Sequence, residues 1–321
     1  MLAGLGLLTV SAVLLAAGAE MFAGNAASAA RKLGVSVLAV GILLAGAEPE
    51  EMLTAVLAAL EGRPGLAAGD VIGANITMLT AALGLAALTR PLPFGSRVRG
   101  YAALSAVAGG CALLALSGGH VGRVAGLLLL LAYAGLVALV WWREKAPPTL
   151  GELAEEADRE GLQDTPEVRD TEGARRSAAT GLVLCAVGVV LMLAGGNVAV
   201  GGAVRLVEAL GQSDTAVGLT LLALATTAEL FALVVAAARH GVSELAVAGV
   251  VGSATYNATA SLGAAALARP LDVPGMTGPA LVAAALPLAV VALAARGHLG
   301  RAAGALLCGA YAAYLALVLL V

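Results

Sequence analysis

Charged residues are scarce in this chain of 321 residues, since Asp, Glu, Lys and Arg make up only 12% of it, against about 25% in ordinary soluble domains. Hydrophobic residues make up 60%, the mean hydropathy is +0.95, and apolar runs near 20 residues long recur from end to end. A soluble globular domain would need more polar surface to face water. The composition therefore predicts a protein that crosses a membrane many times.

Basic clusters and paired cysteines are also lacking. The net charge is −3, aromatic residues make up 3%, and no basic patch is interleaved with aromatics, which excludes nucleic acid as a partner. Cys111, Cys185 and Cys308 lie singly in apolar segments, which excludes a disulfide framework and a zinc site. The first residues carry no basic region and no convincing cleavage site, so we interpret them as a retained membrane span.

About 20 apolar residues per crossing predict ten membrane helices. They lie at residues 3–22, 33–60, 65–89, 99–118, 122–142, 177–204, 214–238, 244–267, 276–295 and 301–320. Helices are expected because every backbone polar group in hydrocarbon must be paired internally, and the runs do not alternate as barrel strands do. The predicted fold is an all-α polytopic membrane protein with two five-helix halves, residues 1–142 and 177–321, joined by an acidic loop at 143–176.

Basic residues predict the orientation of this chain, because Lys and Arg collect in cytoplasmic loops. If the N-terminus is outside, 14 of the 18 Lys and Arg residues lie in inner loops, and only Arg63, Arg123, Arg205 and Arg269 lie outside. We therefore expect a multi-pass protein of the plasma (inner) membrane, with both termini outside and the central loop in the cytoplasm.

An internal repeat relates the two halves. Residues 38–84 align without gaps onto residues 217–263 at a constant offset of 179, which places Glu50 on Glu229 and Gly73 on Gly252. Because each half has five spans, the second copy is inverted in the membrane, as in many secondary transporters whose site lies where broken helices meet near the midplane. The predicted breaks are at Gly46, Pro49, Gly73 and Gly252, and at the hydroxyls of Thr226 and Thr227.

Four glutamates fall near the middle of predicted spans: Glu48, Glu50, Glu51 and Glu229. An ionised group at the bilayer centre costs at least about 2.5–3.5 kcal/mol, so each must face a cation, a polar partner or water. At 100° per residue, positions 48, 50 and 51 cannot all face one site unless the helix breaks at Pro49. For Glu48 and Glu51 a neutral glutamic acid, packed and hydrogen-bonded across helices, stays an alternative.

Hard oxygen ligands accompany these glutamates, and they suit Ca²⁺ or Na⁺ better than a transition metal, which would call for Cys, Met or His. All three histidines fall near predicted helix ends. The predicted cation-binding residues are Glu48, Glu50, Glu51, Asn75, Thr226, Glu229, Ser253 and Asn257.

These segments resemble the calcium/cation antiporter family, which includes the sodium/calcium exchangers. Its two inverted repeats read approximately G-T-S-x-P-E on one helix and G-S-x-x-x-N or D on the next. The corresponding segments here are 46–51 and 73–78, then 225–229 and 252–257. The resemblance implies that Glu50 and Glu229 coordinate the exchanged cations, with Thr226, Ser253 and Asn257 at further ligand positions. The first copy departs from the motif at Ala47, Ala74 and Met78, and it adds Glu48 and Glu51.

The sequence thus predicts a secondary antiporter that exchanges Ca²⁺ for Na⁺ or H⁺ by alternating access, with the lipid bilayer and inorganic cations as partners and no obligate protein partner. It predicts no enzyme, since HExxH and GxSxG motifs are lacking, and no cofactor, since the ions are substrates. One alternative is a proton-coupled transporter of another cation or an organic substrate on the same fold. Another is a structural or receptor protein that transports nothing.

Overall fold

The structure of the chain, a computed structural model, describes residues 1–32, 48–144, 171–228, 230–231, 234 and 243–320. Ten helices lie in these residues: α1 (Leu2–Lys32), α2 (Pro49–Leu60), α3 (Pro64–Thr89), α4 (Ser96–Leu116), α5 (Arg123–Glu144), α6 (Thr171–Leu210), α7 (Asp214–Thr226), α8 (243–268), α9 (Thr277–Leu293) and α10 (Arg301–Leu320). The all-α fold with two five-helix repeats is therefore confirmed.

Six of the ten helices are long and apolar enough to cross a membrane by their described residues alone, namely α1, α3, α4, α5, α6 and α10. In the other four helices, the described residues are too few or not apolar enough to meet the same criterion. Helix α6 begins at Thr171, before the expected start at residue 177. Residues 33–47 and 145–170 lie outside the described part, so the first half of the second predicted span and most of the acidic loop stay predictions.

The repeat extends to local helix geometry. Helix α3 widens to a π-helical turn at Met78–Ala82, and α8 widens at Asn257–Ser261, which is the same place at the offset of 179 residues. Asn75 Nδ2 donates to the carbonyl oxygen of Ala254 at 3.0 Å, and residue 254 is the repeat equivalent of residue 75 itself. The pseudo-twofold axis between the halves therefore passes through the contact of α3 with α8.

Two of the predicted helix breaks are wrong. The α-helical turns run uninterrupted through Gly73, within Pro64–Thr77, and through Gly252, within Ser243–Tyr256. Position 73 requires glycine because a neighbouring helix, α7, lies very close to it. A Cβ there would lie 2.5 Å from the carbonyl oxygen of Leu219 in α7, so only a residue without a side chain lets the two backbones approach this closely.

Small residues also bring α1 and α6 together. A Cβ on Gly18 would lie 2.8 Å from the carbonyl oxygen of Gly188, and a Cβ on Gly188 would lie 2.7 Å from that of Gly18. Helix α3 lies at the centre of the bundle, with 89% of its most apolar window buried. The abundant glycine thus serves close packing between helices, which drives association in a bilayer.

Four two-residue strands, which were not predicted, connect loops of opposite repeats. They are β1 (Leu92–Pro93), β2 (His120–Val121), β3 (Leu271–Asp272) and β4 (His298–Leu299). Strand β1 pairs antiparallel with β4 at one end of the bundle, and β2 pairs with β3 at the other. The β2–β3 pair also carries an exposed side-chain hydrogen bond, with His120 Nδ1 2.6 Å from Asp272 Oδ1.

Three of the four basic residues assigned to the outer side contact neighbouring loops or helix ends. Arg63 Nη1 lies 3.3 Å from Asp214 Oδ1, Arg269 Nη1 donates to the carbonyl oxygen of Leu60, and Arg123 Nε donates to that of Leu267. These contacts bring the segments that follow the second, fourth, sixth and eighth predicted spans to one end of the bundle. A chain that crosses the membrane back and forth requires this grouping. Which compartment each group faces stays a prediction.

Candidate cation-binding site

The site is built around the start of α2. Pro49 is the first residue of this helix, and Glu48 before it is non-helical, with φ −110° and ψ 81°. Proline favours this position because its fixed φ suits the first turn and it has no N–H to leave unpaired. The structure thus begins a helix at Pro49, as the predicted break requires, and Glu50 and Glu51 lie in its first turn, where the helix dipole stabilises negative charge.

The equivalent break in the second repeat lies at the end of α7. The helix ends at Thr226, and Thr227, the equivalent of Glu48, leaves it with φ −84° and ψ 2°. Thr227 Oγ1 donates to the carbonyl oxygen of Ala223 at 2.7 Å, a side-chain bond that competes with the helix. Helix α7 thus ends at Thr226 and Thr227 without a proline, as predicted from their hydroxyl groups.

Asn257 on α8 contacts both of the glutamates that the family motif lacks, Glu48 and Glu51. Its Nδ2 donates to Glu48 Oε2 at 3.3 Å and also to Glu51 Oε2, while its Oδ1 accepts from Ser261 at 3.0 Å. Glu48 and Glu51 can share this partner because they are three positions apart, a spacing that places two side chains on the same side of a helical turn. Three residues predicted from sequence therefore meet directly.

Asp70 is a site residue that sequence reasoning missed. It lies on α3, is fully buried, and its Oδ1 accepts from Thr226 Oγ1 at 3.0 Å. Thr226 was predicted to contact a cation directly, and here its side chain contacts another acid. Asp70 could have been found from sequence as a further acid inside a predicted span, but it lies outside both repeat motifs.

The buried charge around these residues is all of one sign. Glu48, Glu50, Glu51 and Asp70 are each at most 6% exposed, and the other three all lie near enough to Glu51 for their charges to act on it. Among the residues whose burial the structure describes, no Lys, Arg or His is buried. Buried ionised carboxylates without a positive partner are strongly destabilising.

Two other predicted ligands, Asn75 on α3 and Ser253 on α8, are buried near the contact of these two helices. Asn75 is buried, and its Oδ1 accepts no hydrogen bond within the described part of the chain, although its Nδ2 binds Ala254 as described above. Ser253, next to Ala254, is 2% exposed. Tyr256 packs edge-on against Tyr133, and its hydroxyl contacts Met52 Sδ at 3.2 Å, so side chains from α2, α5 and α8 meet next to Asn257.

Glu229 lies outside the described residues, so its position relative to Glu50 stays a prediction. Within the described ranges, no three His, Cys, Asp or Glu residues are grouped closely enough to hold a metal ion by themselves. A cation here would therefore need the amide, hydroxyl or backbone oxygens of the neighbouring helices, or Glu229. The assignment of the eight predicted residues as cation ligands stays a prediction.

Comparison with known proteins agrees with this architecture. The family model described as "Sodium/calcium exchanger protein" matches residues 3–142 and 180–320. CaxA of Alkalimonas amylolytica, a protein named as an antiporter, is 28% identical over 315 residues that cover 95% of each chain. Inner membrane protein YrbG of Escherichia coli (strain K12) is 26% identical, over 99% of this chain and 97% of its own length.

A solved structure has the same fold. The sodium-calcium exchanger NCX_Mj, in crystals soaked with Na⁺ and Sr²⁺, matches with a TM-score of 0.61 and 22% identity over 98% of both chains. The family model itself spans both five-helix halves and leaves out only the central loop and the chain ends. The chain therefore belongs to the sodium/calcium exchanger protein family.

Proposed function

We propose that this protein is a secondary cation antiporter that exchanges Ca²⁺ for Na⁺ or H⁺ by alternating access. The observation that carries the proposal is the group of four buried acids, Glu48, Glu50, Glu51 and Asp70, with no buried basic residue among those whose burial the structure describes. Such a site binds cations because they supply the charge that the protein does not. Family membership supports exchange as the transport mode.

In this proposal Glu50 and Glu229 hold the cation between the broken helices, and Ser253 and Asn257 supply further oxygens. Carboxylate, hydroxyl and amide oxygens are hard ligands that suit Ca²⁺ and Na⁺. The same carboxylates can couple the movement of the two exchanged ions, because an empty cluster of negative charge is costly to enclose in a medium of low dielectric constant. Only the neutralised site can pass between its inward-facing and outward-facing states.

A proton-coupled transporter of another cation is a second candidate. The acids beyond the family motif favour it, because clustered buried carboxylates cannot all stay ionised cheaply and can exchange protons. The name of CaxA, which describes it as an antiporter, is compatible with both candidates.

Uptake of radioactive Ca²⁺ into proteoliposomes tests the proposal, with a Na⁺ gradient or a pH gradient imposed separately. Uptake that follows the Na⁺ gradient supports sodium exchange, and uptake that follows only the pH gradient supports proton exchange. Uptake under neither gradient would exclude Ca²⁺ as a substrate, and competition by other cations would then identify one.

The proposed orientation places both termini outside and residues 143–176 in the cytoplasm. We expect a cysteine introduced at Gly161, in a variant without Cys111, Cys185 and Cys308, to resist membrane-impermeant thiol reagents in intact cells. It should react fully once the cells are permeabilised. Labelling in intact cells would reverse the orientation and the side assigned to every loop.

A further inference from the structure

Three helices of the bundle contain a π-helical turn. Besides the equivalent turns in α3 (Met78–Ala82) and α8 (Asn257–Ser261), helix α7 widens at Gly218–Leu222. Within the described ranges, turns of this kind occur in no other helix. Such turns are rare and frequently lie at functional sites, and α3, α7 and α8 all carry candidate site residues.

The same residue type occupies the same place in each of these turns. The third residue is threonine in all three, namely Thr80, Thr220 and Thr259, and each of these threonines is at most 2% exposed. Each hydroxyl donates to the carbonyl oxygen four residues earlier, at 2.6 Å for both Thr220 and Thr259. In an α-helix the backbone N–H of the threonine would pair with that oxygen, so the hydroxyl competes with the α-helical pattern.

In α8, close contacts lie on both sides of the turn. Asn257, at its start, donates to Glu48 and Glu51. Gly263, just after its end, packs against α5, where a Cβ would lie 2.8 Å from the carbonyl oxygen of Gly126. A π-helical turn holds one residue more than an α-helical turn, and one residue corresponds to about 100° around the helix axis. The wider turn therefore allows one helix to make both contacts.

Asn257 is also held from within the turn. Ser261, the last residue of the turn, donates from its Oγ to Asn257 Oδ1 at 3.0 Å, and both residues are fully buried. This bond spans the whole turn, so its length depends on how wide the turn is. A change in the turn would therefore change the orientation of the Asn257 amide.

The first repeat has the same construction without the polar side chain. Gly84, the equivalent of Gly263, packs against α10, where a Cβ would lie 2.9 Å from the carbonyl oxygen of Gly304. The first residue of its turn, however, is Met78, in place of Asn257. The turn and the glycine contact thus belong to both repeats, and only in α8 does the turn position an amide next to acids.

We propose that Thr259 is a positioning residue, whose hydroxyl favours the π-helical turn and so keeps the Asn257 amide directed at Glu48 and Glu51. The inference deepens the proposed function and rests on it, since Asn257 belongs to the proposed cation site. The close contact of Gly263 with α5 limits movement after the turn. If the turn tightens, the rotation must occur before it, and Asn257 turns away from the acids.

Replacing Thr259 by Val tests the proposal, because valine keeps nearly the same shape without the hydroxyl. We expect the affinity of the purified full-length protein for ⁴⁵Ca²⁺, measured by equilibrium dialysis, to fall at least about tenfold, since hydrogen bonds to charged groups are among the stronger ones. Thr259→Ser keeps the hydroxyl and loses the methyl group, so it should bind Ca²⁺ as the wild type does. A role in packing alone would not be rescued by serine.

Thr255→Val is the matched control on the same helix. The Thr255 hydroxyl donates to the carbonyl oxygen of Val251 at 2.9 Å, where α8 remains α-helical, so this variant should bind Ca²⁺ as the wild type does. A second measurement uses ¹⁵N-labelled asparagine, because the chain has only four asparagines. The side-chain NMR signal of Asn257, identified by its loss in Asn257→Ala, should shift in cation-free Thr259→Val and stay unchanged in Thr255→Val.

Thr259→Ala removes the same hydroxyl and makes the same predictions if Thr259→Val does not fold. Wild-type Ca²⁺ affinity together with an unchanged Asn257 signal in the folded variant would overturn the positioning role. Failure of the proposed function gives a different result, namely wild-type protein that binds no Ca²⁺. The Asn257 signal would then still show whether Thr259 positions the amide.

Discussion

Replacing Glu50 by Gln is expected to abolish coupled Ca²⁺ transport while the protein still folds. Glu50 is 5% exposed, and in the proposed site its charge compensates the cation, whereas glutamine keeps the shape of the side chain without the charge. Removing one partner of a buried charge pair costs about 2–5 kcal/mol, so Ca²⁺ affinity should fall at least about 30-fold. Proteoliposome uptake and Ca²⁺ binding to purified protein both measure the effect.

Glu61→Gln is the matched control for this experiment. It makes the same chemical change at the end of the same helix, where the side chain is exposed, and it should transport at the wild-type rate. Glu229→Gln, the repeat equivalent of Glu50→Gln, should match the loss. Wild-type transport by either Glu50→Gln or Glu229→Gln would mean that the cation site lies elsewhere.

Replacing Gly73 by Ala should produce the largest loss of stability among single-residue changes proposed for this protein. The added Cβ would lie 2.5 Å from the Leu219 carbonyl oxygen and 2.8 Å from the Ala223 Cβ, so α3 and α7 would have to move apart. Overpacking typically costs about 1–3 kcal/mol. Because α3 carries Asp70 and α7 carries Thr226, transport should fall together with thermal stability measured in detergent.

Gly135→Ala provides the comparison, because a Cβ at Gly135 on α5 meets no atom within 4 Å. This variant should unfold at the wild-type temperature or slightly above it, since alanine is a better helix former than glycine. Equal thermal stability of Gly73→Ala and Gly135→Ala would contradict this prediction, because it would mean that the contact of α3 with α7 can accommodate a Cβ at position 73.

The main features of the fold could be predicted because membrane physics leaves few choices. Long apolar runs must be helical, and the register of Glu50 with Glu229 identified the inverted repeat. The start of α2 at Pro49 could be predicted because proline has no N–H to leave unpaired in the first turn. The contact of Asn257 with Glu48 and Glu51 agrees with the prediction that these three residues lie together.

Other features depend on contacts between helices that no single segment encodes. Gly73 looked like a helix break because glycine is permissive in isolation, but its neighbour Leu219 requires a residue without a side chain. Asp70 lies outside the repeat motifs, so its role became visible only when α7 placed Thr226 beside it. The two-residue strands are too short to leave a pattern of alternation in the sequence.

Those strands have a mechanical consequence. The β1–β4 pair connects the beginning of α4 to the end of α9, and the β2–β3 pair connects the end of α4 to the beginning of α9. The two helices also touch along their length, where Gly109 meets the backbone of Ala284. A slide of one helical turn, about 5.4 Å, would break both strand pairs at once. Helices α4 and α9 are therefore joined at both ends of the bundle, and they can slide past each other only if both strand pairs open.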